Sequence, residues 1–285
     1  MPSANILGIV FALTSAIVWG SGDFTGGYAT RRQSQYSVLA LAAFSGLVFL
    51  VIAVMVRHES FPSSRGIAWA MLGGAAGALG IAAFYRALSM GYTATVAPTA
   101  AVIGAGFPVV FSIFSEGFPA PARVAGFGLA LAGIWLVSRA PGSTGGISRQ
   151  GFVLACLAGI GFGGFLTCLG QVEPGKVFTP LVIARSLTLV TGLLLVRLNR
   201  LPLPSPASNP LALAAGMLDA GGNLFYVLAR QFTRLDTAAV LSSLYPASTV
   251  ILASLVLREK TSRSQWAGLM ICLAAIALIT NAAMK

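Results

Sequence analysis

The sequence predicts an all-α integral membrane protein whose ten transmembrane helices form two inverted five-helix repeats around a central cavity. Three observations predict it. The 285-residue chain is 56% hydrophobic and only 9% charged, whereas soluble domains carry roughly 25% charged residues, and its mean hydropathy is +0.86. Its apolar residues fall into ten runs, each near the roughly 20 residues that cross a bilayer as a helix. The chain also repeats itself after about 142 residues. Phe84-Tyr85, Pro98, Glu116 and Ala125-Gly126 recur as Phe225-Tyr226, Pro246, Glu259 and Ala267-Gly268, and residues 16–21 align with 159–164.

The runs are 5–28, 36–56, 66–89, 94–115, 123–139, 150–171, 178–198, 209–230, 236–257 and 264–283. Residues 6–19 of the first run have the length of a signal-peptide core, but no basic cluster precedes them, so the run reads as a retained transmembrane helix. Charges and turn residues fill the connections: Arg31-Arg32, Arg57-His58-Glu59, Glu116 to Pro121, Glu173-Pro174-Gly175-Lys176 and Arg258-Glu259-Lys260. Residues 139–149, rich in Gly and Ser, join the halves and place the repeats at 1–142 and 143–285; a Pro-rich stretch, 201–210, precedes the eighth run. Strand-like alternation is absent, which argues against a membrane β-barrel.

Five helices per half is an odd number, so the second half enters the bilayer from the opposite side, and a substrate site is expected near the midplane. Gly73, Gly74, Gly77 and Gly80 in the third run, and Gly159, Gly161, Gly163 and Gly164 in the sixth, predict close helix contact, since small residues let backbones approach where lipid gives no hydrophobic drive. Thr93 and Asp236 hold matching positions as helix caps, and Glu116 and Glu259 as interfacial helix ends.

The net charge of +11 comes from 18 Lys and Arg spread in ones and twos. That is the pattern of loops orienting helices in a bilayer, not a nucleic-acid-binding face. The partners expected are therefore the lipid bilayer and a small-molecule substrate, with no nucleic acid, and a monomer suffices to build the cavity. Cys156, Cys168 and Cys272 lie inside apolar runs without a CxxC spacing. They imply neither disulfides nor a metal site, and no cofactor is expected. The lone His58 lies in a connection, and HExxH, GxSxG and Walker-type glycine motifs are missing, so neither a hydrolase nor a nucleotide-driven pump is indicated.

A charge inside the hydrocarbon costs roughly 2.5 to 3.5 kcal/mol on insertion scales and needs a partner or a cavity. Arg185 and Asp219 are two such charges. At about 1.5 Å per residue, their depths differ by only about 5 Å. They can pair, line one cavity, or both. Asp219, Asn223, Tyr226 and Arg230 share one helix face; the matching face of the third run carries Ala78, Ala82 and Tyr85. The tyrosines obey the repeat, whereas Asp219 and Asn223 break it, as recognition of an asymmetric solute requires. Trp19, Tyr85, Phe162, Tyr226 and Tyr245 are candidates for aromatic walls. Ser242, Ser243 and Tyr245 precede Pro246, which frees the Ser242 carbonyl. Asp23 reads as a gate residue or, more simply, a solvated helix end.

Trp19-Gly20, the segment from Pro246 to Glu259 and the glycine-containing helix after it resemble the drug/metabolite transporter superfamily, specifically its ten-helix EamA-type members. In place of Pro246 the first half has Ile103, flanked by Pro98 and Pro108. The resemblance implies alternating access and export of small metabolites, with YddG-like amino-acid exporters, including those for aromatic amino acids, as the nearest members; proton-coupled multidrug or quaternary-amine export is the alternative. It also implies an inner-membrane protein with cytoplasmic termini. The Lys and Arg count, 7 on the terminal side against 10 on the other, leans the opposite way. Multidrug relatives couple protons through a midplane carboxylate in the first helix, and none lies between Asn5 and Trp19.

Overall fold

The computed structural model describes residues 2–90, 93–139 and 148–284. Ten of its segments are long and apolar enough to span a membrane, and no strand occurs among the described residues. The helices are α1 (Pro2–Ala29), α2 (Gln35–Arg57), α3 (Ser64–Ser89), α4 (Thr93–Glu116), α5 (Pro121–Ser138), α6 (Arg149–Leu169), α7 (Phe178–Leu198), α8 (Pro210–Phe232), α9 (Leu235–Ser242), α10 (Tyr245–Val256) and α11 (Arg263–Met284). The expected junction of the repeats, 142/143, falls outside the described residues.

The ninth span is not the continuous helix that its apolar run predicts. It breaks between α9 and α10 at Ser243 and Leu244. Pro246 has no N–H to give the Ser242 carbonyl, and the chain tightens into a turn in which the Leu244 N–H bonds the Leu241 carbonyl at 3.3 Å. α4 instead runs unbroken through Pro98 and Pro108.

The helices pair across the halves. α1 packs along α8 as α3 packs along α6, and α2 on α8 is mirrored by α3 on α7. α2 meets α7, α5 meets α11, and α4 on α6 is mirrored by α9 and α10 on α1. Exchanging the first five spans with the last five leaves this list unchanged, as a pseudo-twofold axis requires. Because each half has an odd number of spans, the axis lies in the membrane plane.

Glycine permits the close pairs. A methyl group at Gly161 of α6 would lie 2.5 Å from the Gly80 Cα and 2.6 Å from the Ala76 carbonyl oxygen, so any larger residue would force two backbones apart. The outer surface is apolar, with Phe114 87% and Leu255 73% exposed, the arrangement expected of side chains that face lipid.

Candidate functional site

A cavity of about 690 Å³ lies between the halves, within the range of small-molecule sites, about 300–1,000 Å³. Thr30, Gln35, Leu88 and Ser138 line its rim, at the face where α1 and α5 end. Leu166, Leu181 and Asn223 lie deep within it. The cavity therefore opens toward the face opposite the one where α1 begins and α11 ends.

That other face is held shut by charged side chains reaching between connections. The Glu59 carboxylate, after α2, accepts from the N–H groups of Val177, Phe178 and Thr179 at 3.0, 3.0 and 2.8 Å, placing an anion at the positive end of α7. Nearby, the Ser63 N–H donates to Glu173 at 2.5 Å. This bond is the first cause that holds the Glu173 carboxyl below its ordinary value. A second knot gathers the ends of α4, α6 and α8 and the start of α9. Arg230 reaches Glu116 at 2.5 Å and the Gly170 carbonyl at 3.1 Å, while Arg234 binds Asp236 at 2.9 Å and the Glu116 carbonyl at 2.9 Å.

Asp236 is thus not the helix cap expected of it. Arg234 holds the cap position, and the buried Asp236 carboxylate, inside the first turn, accepts from Thr237 N–H at 2.6 Å and from Ser112 at 3.2 Å. The Thr93 side chain lies outside the described residues. Glu116 ends α4 as expected; Glu259 lies in the connection after α10 and pairs with Arg31 at 3.3 Å.

Arg185 and Asp219 meet in the cavity as an ion pair bridging α7 and α8. The guanidinium also donates to the carbonyls of Ala42, at 2.9 Å, and Gly216, at 3.3 Å, so it ties α2 in as well. Gly46 leaves room for it: a methyl group there would lie 2.6 Å from Nη2. The Asn223 amide donates to the Asp219 carbonyl at 2.7 Å and carboxylate at 3.3 Å.

Of the residues the sequence singled out, Trp19, Tyr85, Phe162, Arg185, Asp219, Asn223, Ser243 and Tyr245 line the cavity. Tyr226 and Ser242 do not. Tyr226 is wholly buried, with its hydroxyl donating to the Leu166 carbonyl at 2.6 Å, and the buried Ser242 donates to the Ala12 carbonyl at 3.3 Å. Trp19 stacks over Tyr226 at 6.1 Å and meets Tyr245 edge-on at 6.2 Å. Its repeat mate Phe162 meets Phe84 at 5.8 Å. The two repeat-related tyrosines therefore differ in place: Tyr85 faces the cavity, edge-on to Tyr36 at 5.7 Å, whereas Tyr226 supports its floor.

Asp23 is the residue that sequence reasoning undervalued. It is exposed, yet within the cavity rather than at a solvated helix end. Its position four residues after Trp19 was the available signal, since i and i+4 share a face. Asp23 and Asp219 line the cavity together with Tyr85 and Tyr245. No group of three or more metal-ligating side chains occurs among the described residues. The cavity thus offers two carboxylates, one guanidinium and aromatic walls, a surface for an amphiphilic charged solute.

No curated protein matches the chain at a significant level. A protein of known crystal structure superimposes with a TM-score of 0.75 at 20% identity over 95% of each chain, a likeness of fold. The model of the EamA-like transporter family matches residues 6–139 and again 149–281. With ten spans in two matched sets of five around one cavity, the chain belongs to the EamA-like transporter family, a multi-pass membrane transporter of the drug/metabolite type.

Proposed function

We propose that the protein moves small amphiphilic metabolites carrying both an amine and a carboxylate, amino acids including aromatic ones, across the membrane by alternating access. One observation carries this reading: the 690 Å³ cavity brings Asp23, Asp219 and Arg185 together with Trp19, Tyr85, Phe162 and Tyr245. The charged end suits a zwitterionic head, and the rings suit an apolar side chain. The repeats, taken as 1–142 and 143–285, rock about the cavity, which is open at one face and closed at the other. With the termini in the cytoplasm of a cell whose inner membrane holds the protein, the open face is the outer one; export is the direction that the family resemblance implies.

The test is counterflow of labelled phenylalanine into proteoliposomes, with and without a pH gradient. Saturable uptake supports the reading. A cationic dye moving where phenylalanine does not would overturn it in favour of the second reading, a multidrug or quaternary-amine exporter coupled to protons. The excess of carboxylates over guanidinium in the cavity favours that alternative.

A further inference from the structure

We propose that Asp23 is the residue that holds the substrate's positive charge, and that Asp219 instead positions Arg185. The assignment rests on the reading of the cavity as a site for an amine-bearing substrate.

The two carboxylates are not equivalent. Asp219 already has a guanidinium and the Asn223 amide as donors, so its charge is met within the protein. Asp23 takes part in none of the ion pairs found among the described residues. The charged side chains that line the cavity with it are Asp219 on α8 and Arg185 on α7, the latter held against Asp219, and the tyrosines are Tyr85 on α3 and Tyr245 on α10. None supplies a free cation. The cavity keeps this carboxylate accessible, and a ligand entering it can bring the counter-charge that the protein does not.

A second observation points the same way. Asn223 is only 7% exposed and lines the cavity. Its Nδ2 is fixed by two bonds to Asp219, which identifies the other atom, Oδ1, as the acceptor, and Oδ1 has no hydrogen-bond partner. Asp23 and Asn223 stand on touching antiparallel helices. Trp19 Nε1 donates to the Asp219 carbonyl at 3.2 Å, and a methyl group at Gly22 would lie 3.2 Å from the Asp219 nitrogen. Asp23 and Asn223 are thus about five positions apart in register, about 7.5 Å along the axis. Both acceptors lack an N–H donor. The rings of Trp19 and Tyr245 line the same cavity, and a cation is attracted to such faces. Asn223 has Ala82 as its repeat mate, so the repeat supplies no second copy of this subsite.

Phenethylamine, which keeps the amine of phenylalanine, and hydrocinnamate, which keeps the carboxylate, separate the two ends in a counterflow assay of labelled phenylalanine. In the Asp23→Asn variant the phenethylamine concentration giving half inhibition rises at least about tenfold, the scale of one lost charged hydrogen bond, while inhibition by hydrocinnamate is unchanged. Asp23→Glu, which keeps the charge, stays within about threefold of the parent. Wild-type sensitivity to phenethylamine in Asp23→Asn would overturn the assignment. So would an Asp23→Glu variant as insensitive as Asp23→Asn, or an Asp23→Asn protein that no longer elutes folded, since both make the residue structural. A parent protein that moves phenylalanine but ignores phenethylamine also overturns it. A parent that moves no phenylalanine at all overturns the functional reading itself.

Discussion

Arg185 and Asp219 form a lopsided pair: the arginine side chain is 10% exposed and the aspartate 40%. The buried member also donates to the Ala42 and Gly216 carbonyls, whereas the aspartate accepts one further bond, from the Asn223 amide. Removing Asp219 therefore leaves a buried cation with two backbone acceptors only. Asp219→Ala is expected to cost about 3 kcal/mol of stability, at the low end for a broken buried pair because the aspartate is partly solvated. A lower thermal midpoint in detergent checks this. Arg185→Met, which removes the buried charge and keeps much of the volume, costs less than Asp219→Ala.

Arg230 ties three helix ends together through Glu116, Gly170 and Thr233. Arg230→Ala is expected to loosen the closed face by about 1.5 to 3 kcal/mol, the range for hydrogen bonds to a charged group. A cysteine placed at Leu166, on the cavity floor, should then react faster with a thiol reagent added from the face where α1 begins. An unchanged rate would show that the knot does not hold that face shut.

Gly161 and Gly128 make a matched test of helix approach. Alanine at Gly161 meets the backbone of α3, and alanine at Gly128 meets nothing within 4 Å. Gly161→Ala is expected to lose more than about 3 kcal/mol, because neither backbone can yield as a side chain would. Gly128→Ala should be neutral. Folded yield after size-exclusion chromatography reads both.

Glu173 lies in the connection between α6 and α7, outside the spans. The Ser63 N–H, then its own N–H, then the Ser63 hydroxyl and the Lys176 charge hold its carboxyl below the ordinary value of 4.5. The fold thus favours the charged form. That stabilisation is complete above the ordinary value and is lost as pH falls through the lower folded value. Thermal midpoints taken from neutral to acidic pH should fall slightly more for the parent than for Glu173→Gln, with the two curves converging at the acid end. The difference is small, because this carboxylate lies in a connection at the protein surface, where water and salt screen its charge.

The spans were legible because each run carries its own evidence of length and apolarity. The Arg185–Asp219 pair was legible because depth along a straight helix is simple arithmetic. Pro246 breaks its span where Pro98 and Pro108 do not, and a proline's effect depends on whether neighbours supply the missing bond. Asp23 is not legible in this way, because position along a helix does not give distance from water where a cavity carries its opening inward past the residue. Tyr226 follows the repeat in sequence but not in environment, since its burial depends on Trp19 and Leu166 from other helices. The Glu116–Arg230–Arg234–Asp236 knot joins connections more than a hundred residues apart, and nothing local announces such a meeting.

The exchange of partners between halves has a consequence during synthesis. α1 finds its main neighbour in α8, which the ribosome delivers some 180 residues later, about 10 to 40 s at usual elongation rates. Until then the polar tip of Trp19 stands in the bilayer without the helix whose carbonyl receives it. The nascent protein has to tolerate that interval, so the first five spans are the portion expected to need a membrane chaperone.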